Sequence, residues 1–206
     1  MRRVLPLVVL TALASSAAAD GFYFTEQIGA TKVHDQLGAS MPDTSLRVRV
    51  SLGLRRDRWS LSGYIGGDIG NSLSTGADDP VFDTYSSGPA TLTSYGLDLK
   101  YVSPVTRHIE FYLRGSAGGG SLTGAGLDGY GGRSLGVGAG VQLKGKVPII
   151  GLLWFPLFFT NWGPKMTASL YVDSGYEFYR FHRDDDPSID AQVSHVTVGW
   201  SFGSDF

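Results

Sequence analysis

The chain has 206 residues, 29 of them glycine and none cysteine, with 17 Lys and Arg against 19 Asp and Glu. That length suits one domain, a hydrophobic content of 42% with 12% aromatics excludes a disordered chain, and the missing thiols exclude disulfide frameworks, Cys-ligated metals and cysteine nucleophiles. A formal charge of −2 provides no electrostatic footprint for nucleic acid.

Met1-Arg2-Arg3 is a short cationic start, Val4 to Leu13 is apolar apart from Pro6 and Thr11, and Ala17-Ala18-Ala19 supplies small residues before Asp20. This predicts a secretory signal peptide over 1–19, because its apolar stretch falls well short of the ~20 residues of a membrane-spanning helix. Loss of Arg2 and Arg3 leaves 15 basic against 19 acidic residues, a formal charge of −4.

From residue 20 onward apolar residues recur with period two, the mark of strands with one oily and one polar face. After a less regular first segment, Phe22 to Val33, the pattern is clearest in Leu46, Val48, Val50, Leu52 and Leu54, interleaved with Arg47, Arg49, Ser51, Gly53 and Arg55. Trp59, Leu61, Ile65 and Ile69 oppose Ser60, Ser62, Tyr64 and Asp68; Tyr95, Leu97, Leu99 and Tyr101 oppose Ser94, Gly96, Asp98 and Lys100. Ile109, Phe111, Leu113 and Ala117 oppose Glu110, Tyr112, Arg114 and Ser116, and Leu135, Val137, Ala139, Val141 and Leu143 oppose Ser134, Gly136, Gly138, Gly140 and Gln142. Ala168, Leu170, Val172, Tyr176 and Phe178 oppose Ser169, Tyr171, Asp173 and Glu177, and Val196, Val198, Trp200 and Phe202 oppose His195, Thr197, Gly199 and Ser201. The reading is eight strands, all-β.

Alternation alone suits a soluble sandwich as well as a membrane barrel. Segment lengths near the ~9–11 residues of a tilted membrane-crossing strand, an even strand number and the signal peptide favour the barrel. Connection lengths agree: His34–Thr44, Asn71–Ala90, Gly119–Gly132 and Phe181–Asp190 are long and would lie outside, whereas Arg56-Asp57 and Ser103–Arg107 are short periplasmic turns. Gly145–Lys165 is the exception, a long apolar periplasmic connection. Phe22, Phe24, Trp59, Tyr101, Phe111, Trp200 and Phe202 would form an inner aromatic girdle, and Tyr95, Tyr176 and Phe178 an outer one.

The final segment, His195 to Phe206, is amphipathic and places the terminal Phe206 in the parity of Trp200 and Phe202. In architecture the chain resembles the small eight-stranded outer-membrane β-barrels of Gram-negative bacteria, over residues 20–206. The resemblance implies a transmembrane antiparallel up-and-down barrel located in the outer membrane and surrounded by its lipid. It also implies that Trp200, Phe202 and Phe206 form the signal read by the barrel-assembly machinery. It carries over no catalytic residue, metal or cofactor.

On the inward parity stand Arg47, Arg49, Asp68, Asp98, Lys100, Glu110, Arg114, Asp173, Glu177 and His195. An eight-stranded barrel is barely wide enough for its own side chains, so these charges are expected to pair into a plug, the alternative being a narrow water path for small solutes. Gly136, Gly138 and Gly140 would leave room for long neighbours. Gly124-Ala125-Gly126-Leu127-Asp128-Gly129 spells a dinucleotide fingerprint but lacks a βαβ context and reads as a mobile surface loop. The outer loops are acidic, with Asp184, Asp185 and Asp186 at one tip, and show no calcium-loop spacing.

Val147, Ile149, Ile150, Leu152, Leu153, Trp154, Phe155, Leu157, Phe158 and Phe159 belong to a charge-free run interrupted by Pro148 and Pro156. With Lys144, Lys146 and Lys165 flanking it, the run reads as a membrane-interface collar. Its alternatives are a docking surface for another periplasmic or envelope protein, or two further strands making ten. An enzyme that modifies lipid A would want Ser, His and an acid converging. The four histidines, His34, His108, His182 and His195, offer no such local arrangement, and His195 and Ser201 stand ~20 Å apart along their strand. The expectation is a non-enzymatic barrel with a structural or surface-interaction role.

Overall fold

The computed structural model describes residues 21–34, 44–70, 90–124, 127–146, 166–183 and 187–204. The strands are β1 (Gly21–His34), β2 (Ser45–Arg56), β3 (Trp59–Gly70), β4 (Thr91–Pro104), β5 (Ile109–Thr123), β6 (Gly131–Lys146), β7 (Met166–His182) and β8 (Ile189–Ser204). Each pairs antiparallel with its sequence neighbour, and β1 pairs with β8, closing the barrel. Closure satisfies every edge, which is what permits a sheet in hydrocarbon. The predicted signal peptide over 1–19, the acidic tip at 184–186, the apolar run at 147–159 and Phe206 lie outside the described residues.

The predicted parity holds along every strand. In β2 the even-numbered apolar residues face out and Arg47, Arg49 and Arg55 face in, buried to 9% exposure or less. Leu52, Ile65, Leu113 and Leu135 are 62%, 61%, 64% and 66% exposed on the outer surface. A continuous belt of such residues is untenable in water and is the lipid-facing surface of a transmembrane barrel. This decides against the sandwich, whose apolar faces would have been buried. Trp59 meets Tyr101 with ring centroids 4.9 Å apart at one rim, and Phe24 pairs with Phe202 across the β1–β8 seam.

The two ends differ. At the turn end, Asp57 and Arg58 join β2 to β3, with Asp57 at φ 52°, a left-handed conformation Asp tolerates. Residues 105–108 join β4 to β5, where Thr106 Oγ1 accepts the backbone N–H of Ile109 at 3.1 Å. Both turns sit one to two residues later than predicted, because the ladders continue to Arg56↔Trp59 and Pro104↔Glu110.

At the loop end the predicted connection Gly119–Gly132 shrinks to 124–130, since β5 runs on through Gly119 and Gly120 to Thr123. Ladder hydrogen bonds need no side chain, so glycine there obscures the strand in sequence without ending it. The glycine-rich loop is also not a free surface loop in its described part. Gly124 (φ 82°) and Gly129 (φ 86°) make the turns, Leu122 N–H donates to Tyr130 O at 2.9 Å, and Leu127 and Tyr130 are buried. Phe181, predicted to open a loop, is fully buried in β7.

One outward position breaks the apolar belt well inside the barrel wall. Glu26 faces out between Phe24 and Ile28 and pairs across the ladders with Val50 and Trp200. A carboxylate on the lipid face is unfavourable, less so than Lys or Arg at the same depth. Glu26→Leu is expected to raise the unfolding free energy by about 1 kcal/mol, measured by urea titration of the barrel folded into vesicles; a fall would refute a lipid-facing Glu26.

Candidate functional site in the barrel lumen

The inward side chains form three layers along the barrel axis. The middle layer holds eight of the ten predicted lumen residues. Arg47 on β2 makes a two-pronged contact with Asp68 on β3, directly opposite in the ladder, at 2.7 and 2.8 Å, and reaches Glu177 on β7 at 3.0 Å. Arg49 donates to Glu177 at 2.8 Å and to both oxygens of Asp98 on β4 at 2.6 Å, with its guanidinium 3.5 Å from the centroid of the Tyr64 ring. Arg114 on β5 joins Asp173 at 2.8 Å and Asp98 at 3.5 Å. His195 on β8 has Nε2 3.0 Å from Asp173 and 2.8 Å from Arg114.

The planar fork of Arg suits this work, since one guanidinium can serve two or three carboxylates in fixed directions. Tyrosine hydroxyls complete the acceptors: Tyr112 donates to Asp173 at 2.8 Å and Tyr179 to Glu177 at 2.7 Å. Room for these side chains comes from β6. A Cβ on Gly138 would lie 3.1 Å from Arg114 Nη2, one on Gly136 2.8 Å from Glu177 Cγ, and one on Gly140 would collide with the Tyr112 ring. The alternation of Gly with apolar residues in β6 is thus a trough that admits the bulk of β5 and β7.

Glu110 and Lys100 stand apart from that layer, at the turn end. Glu110 pairs with Arg55 at 3.2 Å and Lys144 at 2.5 Å and accepts a hydrogen bond from Gln142. Lys100 enters no ion pair among the described residues; its ammonium lies 5.1, 5.5 and 5.9 Å from the ring centroids of Tyr112, Tyr171 and Tyr23. Arg55 shares the inward parity of Arg47 and Arg49, and Lys144 joins it on Glu110 at the turn end. The tyrosines carry the same signal: Tyr23, Tyr64, Tyr112, Tyr171 and Tyr179 all occupy inward positions and are buried.

The third layer, at the loop end, has no counterpart in the sequence reading. Val33, Leu92, Leu122, Tyr179, Phe181 and Val193 face inward and pack with Ala90, Leu127, Tyr130 and Ala191 into an apolar cluster. Leu92, Leu122, Phe181 and Val193 are 0% exposed, so this end of the lumen is stoppered by hydrocarbon. Tyr179 spans two layers, stacking on Phe181 at 5.4 Å while its hydroxyl reaches Glu177. Of the predicted assembly-signal residues, Trp200 and Phe202 lie on the outer parity of β8, and the predicted docking segment lies outside the described residues.

No family model matches the chain, and no curated protein matches it. Solved structures do. Neisserial surface protein A superimposes with a TM-score of 0.54 at 17% identity, over 90% of this chain and 97% of that one. Ail of Yersinia pestis gives 0.47 at 14% identity, covering 89% and 97%, and OprG of Pseudomonas aeruginosa gives 0.44 at 10%, covering 91% and 98%. At these identities the likeness is one of fold: this chain has the fold of the small eight-stranded outer-membrane β-barrels.

Proposed function

We propose that the chain is an integral outer-membrane barrel with a structural or surface-interaction role, its lumen filled rather than conducting. The observation that carries this reading is the apolar stopper of Leu92, Leu122, Phe181 and Val193 stacked above the Arg47–Arg49–Arg114 ion network. A solute would have to cross buried hydrocarbon and then a set of buried, mutually paired charges, and each barrier alone is costly. The pore alternative therefore has no continuous polar lining to support it among the described residues.

A non-enzymatic role is part of the proposal. His195 and Asp173 resemble two members of a hydrolytic triad, but Nε2 is shared between Asp173 and Arg114, and Nδ1 has no hydrogen-bond partner. A nucleophilic hydroxyl within reach of the imidazole is what such chemistry requires. Outer-membrane lipid around the belt, and the barrel-assembly machinery acting on the β8 end with Phe206, complete the reading. The segment 147–159 is read as a collar at the inner-leaflet boundary of the outer membrane, on its composition and its flanking lysines.

Two measurements test this. Epitope tags within 71–90 and within 145–165 are expected to be protease-accessible and protected, respectively, on whole cells; a soluble periplasmic product would overturn the membrane assignment. In planar bilayers the purified barrel, folded by heat-modifiable gel mobility, is expected to give no reproducible conductance. Steady ion currents would replace the filled lumen with the pore.

A further inference from the structure

We propose that the turn end of the lumen, its periplasmic mouth, is a binding site for a compact anion held by Lys100. Among the described residues three cations and one carboxylate meet there. Arg55 and Lys144 share Glu110, whereas the Lys100 ammonium has three tyrosine faces around it and no ion pair among the described residues. The nearest carboxylates deeper in the barrel, Asp98 and Asp173, are held by Arg49 and Arg114.

Lys100 is 8% exposed, so bulk water does not compensate its charge. An ammonium is a compact, strongly hydrated charge with three donors. Ring centroids beyond 5 Å stand near the outer limit of cation–π attraction and leave those donors unfilled. Lys100 borders a cavity of about 30 Å³ that is also lined by Arg55, Lys144, Thr25, Tyr23 and Tyr171. One of these, Thr25, carries a buried hydroxyl, Oγ1, with no hydrogen-bond partner among the described residues. A single water needs roughly 10–15 Å³ of such space, so the cavity suits a halide or the terminal oxyanion of a phosphate or carboxylate. Among the described residues an idle Thr25 hydroxyl, a buried ammonium without an ion pair and three cations to one carboxylate describe an anion's coordination shell.

The site opens toward the turns and is independent of whether the loop end is closed, so its failure and that of the filled lumen are separable. The test uses the full barrel purified in detergent. Crystals soaked in sodium bromide are expected to show an anomalous peak in contact with Lys100 Nζ. Bromide is also expected to raise the unfolding temperature relative to sodium gluconate at equal ionic strength. Lys100→Met should remove the peak and weaken the bromide affinity, read from the concentration dependence of the shift, about tenfold or more, the scale of one charge-assisted contact, while Lys100→Arg should retain both. If Lys100→Met does not fold, the wild-type peak and the Lys100→Arg shift decide the matter. Displacement of bromide by inorganic phosphate would assign the site to oxyanions, and its persistence to halides, both in support. No peak at Lys100 in the folded wild type, or bromide on the outer surface only, overturns the proposal.

Discussion

Replacing Glu177 by Ala is expected to lower the unfolding free energy by about 3–5 kcal/mol, read from reversible urea unfolding of the barrel in vesicles. Glu177 is 1% exposed and receives Arg47 at 3.0 Å and Arg49 at 2.8 Å, with Arg114 at 3.8 Å. Its removal takes the acceptor from Arg49 Nη1 and from the Tyr179 hydroxyl and leaves Arg47 with Asp68 alone, in a space that water cannot flood. Glu177→Gln keeps an acceptor but loses the charge and should fall between the wild type and Glu177→Ala. The surface supplies the control. Arg180 and Asp190 form an ion pair of similar length, 2.9 Å, but their side chains are 73% and 64% exposed, so Asp190→Ala should cost no more than about 1 kcal/mol. Equal losses from the two substitutions would mean that the lumen is wet and the network loosely held. The network as a whole is a weak net stabiliser, because desolvation offsets most of its attraction; the large cost belongs to breaking it on one side only.

The second large effect is expected at the loop end. Phe181→Ala should lower the unfolding free energy by about 3–5 kcal/mol. Phe181 is fully buried, stacks at 3° on Tyr179, and lies so near β6 that a Cβ on Gly132 would come within 2.8 Å of its ring. Its loss opens a cavity beneath Leu127 and Tyr130, and proteolysis within 124–130 should accelerate as that loop loses its seat. Conductance should stay at background in this variant, since the ion network still fills the lumen below. Wild-type stability in Phe181→Ala would show that the apolar cluster is not packed as described.

The stopper also marks where the alternation stops being informative. Period two says which residues share a face, and Arg47, Glu177 and Lys100 lie on the inward one. Their partners were hidden because an ion pair across a barrel depends on which strands face each other and at what height. Arg49 and Glu177, on β2 and β7, are 128 positions apart and meet only after closure. Lys100 illustrates the limit: its parity matches that of Asp98 two residues away, yet Asp98 enters the network and Lys100 enters the tyrosine cage. The height of each residue along the axis, set by register and tilt, decides between the two.

The loop end misled for a different reason. Leu92, Leu122, Phe181 and Val193 lie beyond the regular runs, among glycines and polar residues, where an apolar residue in sequence looks the same facing lipid or facing the lumen. Strand content, the outward belt, the aromatic rims and the inward charges were determined by the sequence alone, because side-chain period and the solvent on each face are local properties. Only the tertiary structure decided which charges pair, that Arg55 and Lys144 join Glu110, and that an apolar cluster packs at one end while Lys100 enters no ion pair among the described residues at the other. Those outcomes follow from closing eight strands in one particular register, and no single strand carries that information.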